Sequence, residues 1–75
     1  MNESRFKALL SNKVEQILAI LREDYGMGAM DARIYLYSSK VYATLEDEES
    51  KAWTYSAFQL VELLREEKRT GEVPW

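Results

Sequence analysis

Apolar residues recur at threes and fours through the first third of the chain. Phe6, Leu9, Leu10, Val14, Ile17, Leu18, Leu21 and Tyr25 follow the period of an amphipathic helix, which predicts a helix over about Ser4–Asp24. Asn12 and Glu15, in N-K-V-E, have the spacing of a capping box. On that reading the helix starts at Lys13 and a separate short turn precedes it. From Ile17 to Leu21 the chain is apolar around most of the helix circumference, which calls for contacts on more than one side. Gly26 suits a left-handed C-terminal stop, and Gly28 allows a second reversal.

The next segment, about Ala29–Ser38, carries Met30, Ala32, Ile34, Leu36 and Tyr37 without a clean helical stripe. Its "RIYLY" run alternates as a strand would. Helix is preferred, because a lone strand finds no partner elsewhere in the sequence. Ser39 can cap a third, short piece, "KVYATLE", with Val41, Tyr42 and Leu45. Lys51–Tyr55 reads as extended, with Trp53 and Tyr55 on one side. Ser56 and Gln59 form a second capping box and open a helix over Ala57–Arg69. Its apolar face is Ala57, Phe58, Leu60, Val61, Leu63 and Leu64. Glu62 with Arg65, and Glu66 with Arg69, pair at i,i+3 on the outer face. Lys68 and Arg69 complement the helix dipole, Gly71 stops the helix, and Pro74 keeps "EVPW" from extending it. The expected fold is a single all-α domain over residues 1–75, with three main helices and one short connecting helix.

Composition narrows what such a domain can do. At 75 residues the chain buries only about 60% of its unfolded surface, so its stability is thin. It has no Cys and no His. Disulfides are excluded, a structural zinc site is disfavoured, and Ser-His or Cys-His catalytic pairs are impossible. No cofactor is expected. A net charge of −3 disfavours a phosphate-binding role. The longest unbroken apolar run, "ILAIL", is far short of a membrane span, and the N-terminus lacks the apolar core of a signal peptide. The expected location is the cytoplasm, with no membrane partner.

Two clusters stand out chemically. Glu46–Glu49 place four carboxylates in a row, but a calcium loop needs alternating ligands, a central Gly and a closing Glu, which are missing. Four adjacent acids read best as a solvated turn, with Asp47 or Glu48 capping the next one. The aromatics, two Trp, five Tyr and two Phe, read first as core and second as a binding surface. Tyr42, Trp53, Tyr55 and the terminal Trp75 are the candidate partner-binding residues. No catalytic or metal-binding residue is assigned.

The segment "MDARIYLYSSKVYATLEDEESKAWTYSAFQLVELLREEKRTG" resembles a group of short bacterial helical proteins with no established function. Their pattern is a Gly-containing turn, a helix ending in "LYSS", a tyrosine with "L-x-D", a loop aromatic, and a Ser-capped helix ending in "L-x-E-E". Here those elements are Leu36–Ser39, Tyr42, Leu45 and Asp47, Trp53, Ser56, and Leu64–Glu67. This chain departs in having Trp53 where Tyr is common and Ala57 where Pro often follows the Ser. The resemblance implies an architecture and no catalytic signature. Some of the similar proteins look like small partners of toxin or stress-response proteins.

The expected function is therefore a non-catalytic protein–protein interaction module that forms a homodimer or binds one protein partner. The contact is expected near Trp53 or Trp75, on apolar surface left over around Ile17, Leu18, Ile20 and Leu21. The alternative is a small helix-turn-helix DNA-binding regulator, which would bind random duplex with a steep salt dependence.

Overall fold

The computed structural model describes residues 2–73. Its helices are α1 (Glu3–Glu23), α2 (Ala29–Tyr37), α3 (Lys40–Leu45) and α4 (Ala57–Thr70), with two 3-10 turns, Glu48–Ser50 and Ala52–Thr54, between α3 and α4. The all-α expectation of three main helices plus a short connecting one holds. Among the described residues there is no strand, and no helix is long and apolar enough to cross a membrane.

α1 is one continuous helix that starts ten residues earlier than the capping box at Asn12 suggests. Asn2 is its cap, with Oδ1 accepting from the Arg5 amide at 2.8 Å. A cap residue must leave helical backbone geometry, and nothing between Phe6 and Lys13 forces that departure. Phe6 also gains by staying helical: it is buried and meets the Trp53 ring edge-on at 6.3 Å. At the far end Gly26 turns left-handed (φ 69°), and the Met27 amide donates back to the Leu21 carbonyl at 3.1 Å. Gly28 makes no second reversal. Its φ is −68°, and it stands as the N-cap of α2.

"RIYLY" is helical, as preferred. The core explains why no stripe was visible: Ala32 and Leu36, four apart, point inward and are fully buried. Tyr35 is half-buried, and its hydroxyl donates to the Leu64 carbonyl of α4 at 3.1 Å. α3 follows after Ser38 and Ser39, and the Ser39 hydroxyl accepts from the Tyr42 amide as expected of a cap. Val41 and Leu45 of α3 close the core from below.

Lys51–Tyr55 is not extended. Lys51 adopts a left-handed conformation (φ 60°), and a 3-10 turn follows. Short polar side chains drive this by bonding to nearby backbone. Ser50 Oγ accepts from the Ala52 amide at 3.1 Å, and the Thr54 hydroxyl donates to the Lys51 carbonyl at 2.6 Å. Trp53 Nε1 donates to the Glu48 carbonyl at 2.8 Å, which folds the indole over the first turn.

α4 starts at Ser56 with both bonds of the capping box: the Gln59 amide donates to Ser56 Oγ at 3.1 Å, and the Ser56 amide donates to Gln59 Oε1 at 2.9 Å. Ser56→Ala is expected to cost about 0.5–2 kcal/mol by leaving first-turn amides unpaired, and Ser56→Asp to retain most of the stability. Urea denaturation of the two variants checks this. α4 ends at Gly71 (φ 81°), and the ion pairs Glu62–Arg65 and Glu66–Arg69 form on its outer face. Ala57, Leu60, Val61 and Leu64 are buried against α1 and α3, whereas Phe58 stays 66% exposed and does not belong to the core face.

Candidate interaction surface

Three of the four α1 residues expected to leave apolar surface uncovered do not. Ile17, Leu18 and Leu21 are buried by their own chain, and only Ile20 is half-buried. α2 and α4 both lie on α1 and cover it from two sides.

Three of the exposed large apolar residues lie instead on α2. Met30 is 69% exposed, Ile34 60% and Tyr37 49%. Spaced by four and three, they form one stripe along the helix. That stripe stands opposite Ala32 and Leu36, so α2 is apolar on its core face and on its solvent face. The Tyr37 ring meets Tyr42 edge-on with centroids 4.9 Å apart, which extends the stripe onto α3. A second apolar patch joins Phe58 to Ala19 and Ile20, across the groove between α4 and α1.

The four partner-binding candidates fall into different settings. Tyr42 is half-buried at the end of the α2 stripe. Trp53 is half-buried and occupied structurally, its ring on Phe6 and its N–H on the Glu48 carbonyl. Tyr55 is exposed beside Gln59, Leu63 and Glu66 of α4, and its carbonyl accepts from Lys13 Nζ at 2.7 Å. Trp75 lies outside the described residues. Met30, Ile34 and Tyr37 were not among the candidates. The available signal was the failure of α2 to show a single stripe, since two interleaved apolar series blur each other.

The acidic run serves the turn it sits in. Asp47 Oδ1 accepts from the Glu49 amide at 3.1 Å, and the Glu48 carbonyl takes the Trp53 N–H. Among the described residues no group of three or more acidic side chains is arranged to hold a metal ion. The α2–α3 pair carries two basic side chains, the exposed Arg33 and Lys40, whose Nζ donates to the Gly71 carbonyl at 2.8 Å.

Two tyrosines near the stripe carry altered acidity. Burial raises the Tyr35 phenol above its ordinary value; Arg65 opposes the shift, while Glu67 and Tyr25 add to it. Burial also raises Tyr42, helped by Glu46 and Tyr37. The native state thus holds these protons at a pH where the unfolded chain releases them. Their contribution is fully present below pH ~10 and is lost as pH rises through the raised values. Urea denaturation at rising alkaline pH is expected to show a steeper loss in the wild type than in Tyr35→Phe/Tyr42→Phe.

Comparison with protein-family models, with curated proteins and with solved structures finds no match.

Proposed function

We propose that this chain is a non-catalytic protein–protein interaction module, whose first partner is a second copy of itself, and that it works in the cytoplasm. The observation that supports the reading most is the doubly apolar α2. A helix that covers a core needs one apolar face, and Ala32 and Leu36 supply it. The second face, Met30, Ile34 and Tyr37, adds nothing to that core and presents large side chains to water. Contiguous exposed apolar surface of this kind is typical of interaction sites. Absence of His and Cys removes the usual nucleophile and acid–base pairs and agrees with a binding role.

Sedimentation equilibrium between about 10 µM and about 1 mM tests the proposal; the upper limit corresponds to roughly 4 kcal/mol of binding free energy. The apparent mass is expected to rise from the 8.8 kDa of one chain toward twice that value. A constant single-chain mass up to the highest concentration refutes self-association.

A further inference from the structure

We infer that two copies pair through α2 with these helices side by side and parallel, Ile34 against Ile34 about a two-fold axis. The inference rests on the self-association reading above and goes further by fixing the surface and its orientation.

Charge placement carries it. At about 100° per residue, Asp31 and Arg33 fall roughly 70–90° to either side of the Met30–Ile34–Tyr37 midline. The stripe therefore has an acidic flank and a basic flank. Asp31 and Arg33 are exposed, and among the described residues neither side chain makes a hydrogen bond or ion pair within its own chain. Two cations of α4 are held on tyrosine rings, Lys68 6.0 Å from the centre of the Tyr35 ring and Arg65 5.0 Å from that of Tyr25, while beside Arg33 the opposite charges of Glu15 and Arg22 on α1 line the same hollow.

Symmetry then selects the orientation. If the axis runs along the helices, the basic flank of each copy lies beside the acidic flank of the other. Arg33 of one copy faces Asp31 of its mate, and the pair occurs twice. If the helices run antiparallel, each flank meets its own kind, and Arg33 faces Arg33. Of the two, only the parallel arrangement is complementary in charge. Nine residues of helix span about 13 Å, so the contact lies at the small end of specific interfaces and its affinity is expected to be weak.

Charge reversal by sedimentation equilibrium on the full chain, over about 10 µM to about 1 mM, is the test. Circular dichroism checks that each variant folds. Arg33→Asp and Asp31→Arg are each expected to weaken association roughly tenfold or more, since each turns two attractive pairs into repulsive ones. The double variant Asp31→Arg/Arg33→Asp restores the complementary pattern and is expected to return to within about threefold of wild type. Ile34→Glu is expected to abolish association. If single reversals leave the wild-type dimer unchanged, or if the double reversal is no tighter than the singles, the parallel pairing is wrong. A dimer that survives Ile34→Glu as well overturns the α2 surface but leaves self-association standing. A wild-type monomer at the highest concentration overturns both.

Discussion

Leu36→Ala is expected to destabilise the fold by about 2–5 kcal/mol, while Ile34→Ala, two positions away on the same helix, changes stability by roughly 0.5 kcal/mol or less. Leu36 is fully buried in the core on a helix that packs against α1 and α3, so truncation removes its buried methyl groups and leaves a cavity that small helices cannot close without shifting. Ile34 is 60% exposed, and its truncation removes contacts that the isolated chain barely makes. A domain of 75 residues has in total about 4–11 kcal/mol of stability, so Leu36→Ala consumes a large part of it. Urea denaturation at low protein concentration is expected to separate the two variants cleanly. Under the proposed pairing the order of effects on association is expected to reverse at high concentration: Ile34→Ala weakens it, whereas the folded fraction of Leu36→Ala still carries the stripe. A loss below about 1 kcal/mol for Leu36→Ala would mean that α2 is not docked through its inner face.

The contrast between those two residues also marks what the chain announces from its sequence. Helices with one apolar face and a strong cap are legible. Ser56 with Gln59 and the run from Leu60 to Leu64 define α4 to within a residue at its C-terminal end. The i,i+3 pairs on its outside follow from spacing alone. Asn12 with Glu15 has the same local signature as Ser56 with Gln59, yet only the second caps a helix. The difference is tertiary: Phe6 docks on Trp53, 47 positions along, and that contact favours helix through the earlier turns. Trp53 itself looked like a binding residue because exposed and buried indole look alike in a sequence. Its carbonyl partner, Glu48, belongs to a turn built from side-chain-to-backbone bonds that no periodicity reports. The α2 stripe was hidden for the opposite reason, since a helix apolar on both faces has no contrast between them.

In the sequence Glu67 stands out only as the last residue of the L-x-E-E pattern, and the structure gives it a task on which the final expectation rests. Its Oε2 accepts from the Lys40 amide at 2.9 Å and its Oε1 from the Val41 amide at 3.1 Å. These are the first two amides of α3, and Ser39 Oγ takes the third at 3.0 Å. A six-residue helix cannot sustain itself in water, because its nucleation cost exceeds what so few internal bonds return. α3 persists because Val41 and Leu45 are buried and because a carboxylate from another helix satisfies its N-terminus, where the helix dipole also favours negative charge. Glu67→Ala is expected to cost about 1–3 kcal/mol, the value of charge-assisted bonds to partly buried amides. Glu67→Gln keeps one acceptor oxygen but turns an amide donor toward a backbone N–H, so it recovers only part of the loss. Hydrogen exchange locates the effect: amides from Tyr42 to Leu45 should open faster, with α1 nearly unchanged. Since Tyr42 supports Tyr37 at the end of the α2 stripe, self-association should weaken in the same variants, although Glu67 lies on neither flank of that stripe. An α3 that exchanges at the wild-type rate in Glu67→Ala would show that burial of Val41 and Leu45 holds it alone.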